Sequence, residues 1–232
     1  LASQDVNAVY VASPVFLHAP QTIESLRAAK HVLCEKPMGM DYAQARSMVE
    51  AAEASSRTLG IAYYRRTYPK LQRARELLGQ GVIGQPLLAY ATCHDWLPGE
   101  DAARTWLLAP ALAGGGPLHD VGSHRIDVMN FLFGEPARVT AQRSNAVHAL
   151  QVEDCATVMI EFRSKVRAIV DVRWNSRVAR DEFRIVGTKG EMELTPLNSP
   201  ELIYPGGREH LPTHANLHFP CVQNFVNAVL DG

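Results

Sequence analysis

Val6-Asn7-Ala8-Val9-Tyr10-Val11-Ala12 closes on Ser13-Pro14, and His31-Val32-Leu33-Cys34 closes on Glu35-Lys36-Pro37. Each is a short apolar run rich in β-branched residues, the pattern of a buried strand. Between them, Ala19 to Lys30 carries Ile23, Leu26 and Ala29 at helical spacing. After them, Asp41 stands as the N-cap of a helix expected through Ala54, and Leu59 to Tyr63 forms a third apolar run. Strands alternating with helices predict a parallel sheet. Ligands of such sheets lie beyond the carboxyl ends of the strands, where Ser13-Pro14 and Glu35-Lys36-Pro37 both fall.

Beyond the helix expected over Tyr68 to Leu78, Gly79, Gly81, Gly84 and Pro86 mark a change of pattern. Val166, Ala168, Val170, Val172 and Trp174 then alternate with Arg167, Asp171 and Arg173, as a half-buried antiparallel strand requires. Phe183 to Val186 and Glu191 to Leu194 flank Gly187-Thr188-Lys189-Gly190, the signature of a hairpin. Helices are expected over Asp120 to Phe133 and Cys221 to Leu230. The fold class is therefore α/β followed by α+β, with a parallel unit over residues 1–65 and a mainly antiparallel, open-faced sheet domain over residues 66–232.

The chain has 232 residues, 47% of them hydrophobic, and a formal net charge of -1, which gives no electrostatic drive toward nucleic acid or an anionic membrane. A small-molecule partner is expected instead. Cys34, Cys93, Cys155 and Cys221 form no Cys-x-x-Cys pair, so neither a zinc ribbon nor a disulfide framework is indicated, and a reducing cytoplasm fits. No apolar run reaches the roughly 20 residues of a membrane span.

Lys36 follows an apolar strand and precedes a proline that restricts its backbone; partial desolvation there suits an acid or base, while the plainer alternative is a surface lysine paired with Glu35. Asp120 and His124 are four apart behind Gly114-Gly115-Gly116, so a helix beginning near Asp120 projects both from one face. His124 can then take a hydroxyl proton while Asp120 orients it, and the glycines let backbone approach a ligand. The alternatives are an N-cap for Asp120, a satisfied polar residue for His124, and a metal set of His119, Asp120 and His124. His18 lies at the entry of the first helix, where it either meets a ligand or packs. Tyr63-Tyr64-Arg65-Arg66 ends the third strand; Arg65, Arg66, Lys70, Arg73 and Arg75 otherwise read as a solvated helix face. Trp106 can stack on a ring or serve packing alone.

Taken in order, these segments resemble the Gfo/Idh/MocA oxidoreductases, the family of glucose-fructose oxidoreductase and inositol dehydrogenase. The likeness runs from Val9-Tyr10-Val11-Ala12-Ser13-Pro14 and His18, through His31 to Pro37, to Gly114-Gly115-Gly116, Asp120 to His124 and Asp127, and on to Gly187-Thr188-Lys189-Gly190. It implies a partial Rossmann-type domain followed by a substrate domain, with NAD or NADP as cofactor and a sugar, cyclitol or related polyol as substrate. By resemblance, Lys36 is the catalytic lysine, often before a cis proline bond, and Asp120 and His124 complete the proton relay. Ser13, Pro14, His18, Glu35 and Lys36 then border the nicotinamide, Tyr64 and Trp106 touch cofactor, and Lys36, Arg66, Asp120 and His124 hold substrate. No resident metal is implied. Val15 stands where an asparagine is common, and Leu107 follows Trp106 where an arginine is common, so the contacts of those positions are not carried over.

Proteins of this kind carry on the order of 70 residues ahead of the point matching Leu1, including the glycine-rich pyrophosphate turn, and no Gly-x-Gly-x-x-Gly run precedes Ser13 here. The expectation is a longer gene product, with the strand at Val6 to Ala12 exposed as a sheet edge in this segment. The open sheet face is an expected homo-oligomer surface. Two other function classes remain at this stage: an NAD-dependent glycoside hydrolase working through transient oxidation, and a non-catalytic sugar-binding relative.

Overall fold

The computed structural model describes residues 1–97 and 102–231. In chain order its elements are β1 (Ala8–Val11), α1 (His18–Arg27), β2 (His31–Cys34), α2 (Tyr42–Ser55), β3 (Leu59–Ile61), α3 (Pro69–Gly79), β4 (Pro86–Trp96), α4 (Pro110–Ala113) and α5 (Ser123–Phe133). There follow β5 (Pro136–Ser144), β6 (Cys155–Phe162), β7 (Arg167–Arg173), β8 (Asn175–Gly187), β9 (Gly190–Glu193), β10 (Glu201–Tyr204), β11 (Gly207–His210) and α6 (Phe219–Asp231). They fall into two compact units, one of residues 1–64, 103–115 and 216–231, the other of the described residues within 65–102 and 116–215. A single boundary at 65/66 therefore does not divide the chain. The segments at 103–115 and 216–231 return to the first unit by packing, which no local sequence pattern announces.

In the first unit β1, β2 and β3 form a parallel sheet in that order, with Val9 opposite Val32 and Leu33 opposite Gly60. Val32 and Cys34 join Val11, Ala19, Leu26 and Met48 in one core, whereas Leu33 joins Ala62 and Phe225 in another. The alternation follows from the two-residue period of a strand: one face takes residues of α1 and α2, the other takes α6. A side chain at Gly60 would be tightly placed, since a Cβ would stand 3.0 Å from Phe225 Cδ2 and 3.2 Å from Leu33 Cδ1. Asp41 caps α2 as expected, its Oδ1 accepting from Gln44 N at 2.8 Å. β1 is an edge strand, and Tyr10 on it is 43% exposed.

The second unit is an eight-stranded sheet in the order β11-β10-β9-β8-β4-β7-β6-β5. Every neighbouring pair is antiparallel except β4 and β7, which run parallel. The alternating strand at 166–174 thus has one parallel and one antiparallel neighbour, because its partner β4 arrives from outside the run of hairpins. Ala168, Val170 and Val172 are buried on one face with Phe183, Ile185, Val128 and Met129. On the other face Leu87, Tyr90 and Met159 are exposed. Lys70 is 1% exposed, and its Nζ donates to the carbonyls of Leu194 and Pro196 at 2.9 and 2.8 Å. Burial pushes its amine down to about 8 against the pull of Asp181 and Glu201. Arg65 is also buried and donates to Asn198 Oδ1, so these two cations hold structure and do not belong to a solvated helix face.

Asp154 organises the loop between β5 and β6. Its carboxylate, fully buried, accepts from the backbone N–H of Ala146, Val147 and His148 and from Asn175 Nδ2, all at 2.8–2.9 Å. Burial works to raise its pKa, but the donors of His148, Ala146, Val147 and Asn175 outweigh it and hold the group down at about 2. A depressed carboxyl contributes stability that is complete above its unfolded pKa, about 3.9, and is lost as pH falls through the folded value. Asp154→Ala leaves three part-buried N–H groups without their acceptor, at up to about 1–3 kcal/mol each before relaxation. Urea denaturation near neutrality is expected to show the variant less stable by about 2–4 kcal/mol. The gap should close as pH is taken from about 4 toward 2.

Candidate functional site

Because β1, β2 and β3 are parallel, their carboxyl ends share one edge of the first sheet, and Ser13, Lys36 and Tyr64 follow those ends. His18, 2% exposed at the start of α1, spans two of the turns. Its Nε2 lies 2.8 Å from the Ser13 carbonyl and its Nδ1 2.8 Å from the Pro37 carbonyl. Carbonyl oxygens only accept, so a neutral ring serves one of them and a protonated ring both. With both nitrogens turned to backbone, His18 is a tie between the Ser13-Pro14 and Lys36-Pro37 turns. On the other side of Lys36, its backbone N–H donates to Glu35 Oε2 at 3.1 Å. The Lys36–Pro37 peptide is cis. Lys36 therefore stands on backbone that is held before and after it.

Glu35 is itself engaged. Its Oε1 accepts from the Tyr10 hydroxyl and lies 3.5 Å from His218 Nδ1. The His218 ring stands 4.4 Å from that of Tyr64. Burial, and then the hydrogen bond to Glu35, push the Tyr10 phenol well above its usual range. His218 carries no motif, and only the return of the chain toward α6 brings it to Tyr10 and Glu35. Ser13 Oγ donates to Gln21 Oε1 at 2.7 Å. Trp106 lies half-buried on a 3₁₀ turn, Ala102–Leu108, in this same unit. Val15 is 3% exposed and Leu107 8%, so the two residues that depart from the family pattern are packing positions.

The second unit holds the other candidates. Residues Leu118–Gly122 wind as a π turn that runs directly into α5, and the N–H groups of His119 and Asp120 both donate to Gly116 O at 3.0 Å. The helical stretch thus begins before Asp120, which sits inside the turn and not at its cap. π turns occur frequently at functional sites. Asp120, His124 and Asp127 stand at i, i+4 and i+7 and share one helix face. His124 is 4% exposed and Asp127 6%.

Asp127 grips Arg66 with both oxygens: Nε donates at 2.9 and 2.8 Å, and Nη2 at 2.5 Å. Burial raises the Asp127 carboxyl, opposed by the Arg66 guanidinium. Arg66 thus enters the same cluster as Asp127, carried by a bidentate pair.

Two of the three glycines have structural uses. Gly114 ends α4 at φ 78°, in the left-handed region, and a Cβ on Gly116 would come 2.0 Å from the Glu153 carbonyl oxygen. Among the described residues no group of three or more His, Cys, Asp or Glu is placed to hold a metal ion, and no helix is long and apolar enough to cross a membrane.

Residues 1–63 match the NAD-binding Rossmann domain of the oxidoreductase family, and residues 71–193 match the GFO/IDH/MocA C-terminal domain. The 1,5-anhydro-D-fructose reductase of Ensifer adhaerens is 32% identical over 234 residues, covering 97% of this chain and 70% of that protein. The crystal structure of an aldose-aldose oxidoreductase from Caulobacter crescentus, complexed with glycerol, superposes with a TM-score of 0.87 at 29% identity, covering 99% of this chain and 71% of that one. GenD2 from gentamicin A biosynthesis, solved with NAD, gives 0.80 at 26% identity, covering 100% and 73%. The chain spans 70%, 60% and 61% of the lengths of the first three curated relatives it matches.

The His18 tie is testable on its own. His18→Ala removes the ring that lies between the Ser13 and Pro37 carbonyls and is expected to cost about 1–3 kcal/mol in urea denaturation. Amide hydrogen exchange should accelerate at Lys36 while that of α2 stays as in the parent. Unchanged exchange at Lys36 would show that the turn holds without the imidazole.

Proposed function

The chain belongs to the GFO/IDH/MocA oxidoreductase family, and from this we propose that it serves hydride transfer between NAD or NADP and a carbinol carbon of a sugar, cyclitol or related polyol. The observation that carries the proposal is the Glu35-Lys36-Pro37 turn, fixed through Glu35 Oε2 and His18 at the carboxyl end of a parallel strand, where such sheets take their nucleotide.

The residues present suit a nicotinamide cofactor: the Ser13-Pro14 turn, Glu35 and the half-buried Trp106 offer backbone, a carboxyl and an aromatic face. Ser13, Pro14, Glu35, Lys36, Tyr64 and Trp106 would hold it, with His18 acting through the two turns it joins. When bound, the nicotinamide supplies or accepts the hydride. The chain's own residues manage the proton. Lys36 is assigned the hydroxyl proton of the reacting carbon, and His124 with Asp120 a second proton-handling role. Arg66, set by Asp127, is assigned to the substrate's hydroxyl oxygens, for which a guanidinium offers several N–H donors.

The open sheet face is proposed as the surface of a homo-oligomer. A shallow depression there is lined by Leu87, Leu88, Met159, Ile169 and Val186 and rimmed by Arg138, Glu161 and Arg167. None of the four cysteines forms a disulfide, in keeping with a reducing, cytoplasmic setting.

A panel of aldoses, anhydrosugars and cyclitols, assayed with NAD and NADP by nicotinamide absorbance, is expected to contain a substrate. Lys36→Ala should lower kcat about 10²–10⁴-fold, the range for loss of an acid–base group, with cofactor affinity little changed. A variant with full turnover would remove Lys36 from the mechanism. Sedimentation at micromolar concentration should show a dimer or larger species, and Met159→Arg should shift it toward monomer; a parent protein that is wholly monomeric would refute the interface.

A further inference from the structure

Glu153 is 6% exposed, lies outside every motif above, and meets the π turn at two points. Its Oε1 accepts from the backbone N–H of Leu118 at 3.2 Å, one of the donors that a helix start leaves without an intrahelical partner. Its own carbonyl oxygen occupies the space where any side chain at 116 would begin, 2.0 Å from an ideal Cβ. Gly116 in turn is the residue whose carbonyl receives the N–H groups of His119 and Asp120. The backbone of Glu153 is fixed by its neighbour: Asp154 N donates to Ser144 O at 3.0 Å and Trp174 N to Asp154 O at 2.8 Å.

We propose that Glu153 is a positioning residue for Asp120 and His124, setting the angle and register of the Leu118–Gly122 turn that carries Asp120 and leads directly into the helix bearing His124. The inference rests on the oxidoreductase reading for its kinetic consequence, but its structural content is independent of it. A carboxyl that only filled space would not need to reach Leu118 N. A placement error of about 1 Å in groups that handle a proton can cost on the order of 10²-fold in rate, so the contact bears on turnover more than on binding.

Three variants separate reach from charge. Glu153→Gln keeps an acceptor oxygen at the same distance and loses the charge; Glu153→Asp keeps the charge and withdraws the oxygen by one methylene; Glu153→Ala loses both. Amide hydrogen exchange over residues 118–122 is expected to quicken in the Asp and Ala variants and to match the parent in the Gln variant. For a polyol substrate, kcat should fall about 10–100-fold in the Asp and Ala variants, with the KM for the cofactor within about twofold. The Gln variant should retain most of the parent's kcat. If the Ala variant does not fold, the Asp and Gln pair decides the matter.

A Glu153→Asp protein with parental exchange and kcat would overturn the proposal. So would a Gln variant as impaired as the Asp variant, which would make charge and not the hydrogen bond responsible. A parent protein without turnover on any polyol, but with the expected exchange pattern, would defeat the oxidoreductase reading and leave the placement of Glu153 standing.

Discussion

The buried carboxylate of Asp154 is the fixed point on which the second unit turns. One side chain accepts three consecutive backbone N–H groups and an asparagine amide, while its main chain bonds both to Ser144 at the end of β5 and to Trp174 at the end of β7. A buried charge is tolerable only when its oxygens are met by donors, and here three of the four donors come from a loop that has no regular structure of its own. The same bonds that satisfy Asp154 therefore fold residues 145–153. Glu153 is delivered as a consequence, its carbonyl against Gly116 and its carboxyl on Leu118 N. The turn bearing Asp120 and the helix bearing His124 and Asp127 thus begin from a loop on the far end of the sheet strands, not from their own local sequence.

The first unit meets a similar problem at the ends of its strands. Parallel strands leave irregular turns at their carboxyl ends, and carbonyls there must find donors. The His18 ring stands 2.8 Å from both the Ser13 and the Pro37 carbonyl, and Glu35 takes the Lys36 N–H. The result is a lysine whose backbone is held on both sides. Glu35 has the second duty of anchoring Tyr10 and His218, so a residue read as a cofactor neighbour is also part of the frame.

Much of the fold was legible in the residues. The three parallel strands, the Asp41 cap and the hairpin at Gly187 to Gly190 follow from periodicity and from side chains acting within a few positions of themselves. Legibility failed where partners come from a distance. Arg65 and Lys70 look like a solvated helix face because charge and spacing are all a sequence shows; their acceptors, Asn198 and the carbonyls of Leu194 and Pro196, lie more than a hundred positions along the chain. The glycines before Asp120 suggested room for a ligand. Gly116 in fact makes room for Glu153, because only the folded loop reveals what approaches it.

By itself, the sequence determined the family, the alternation that makes one sheet parallel and the other half-buried, and the chemical identity of the side chains proposed to handle the proton. Those properties reside in local order and composition, where side-chain period and backbone restriction act directly. The tertiary structure alone decided that His18 ties two turns, that Asp127 grips Arg66, that Tyr10 and His218 meet on Glu35, and that Glu153 sets the start of the helix. Each of those depends on a buried polar group finding its complement far away in sequence, and burial is settled only when the whole chain has packed.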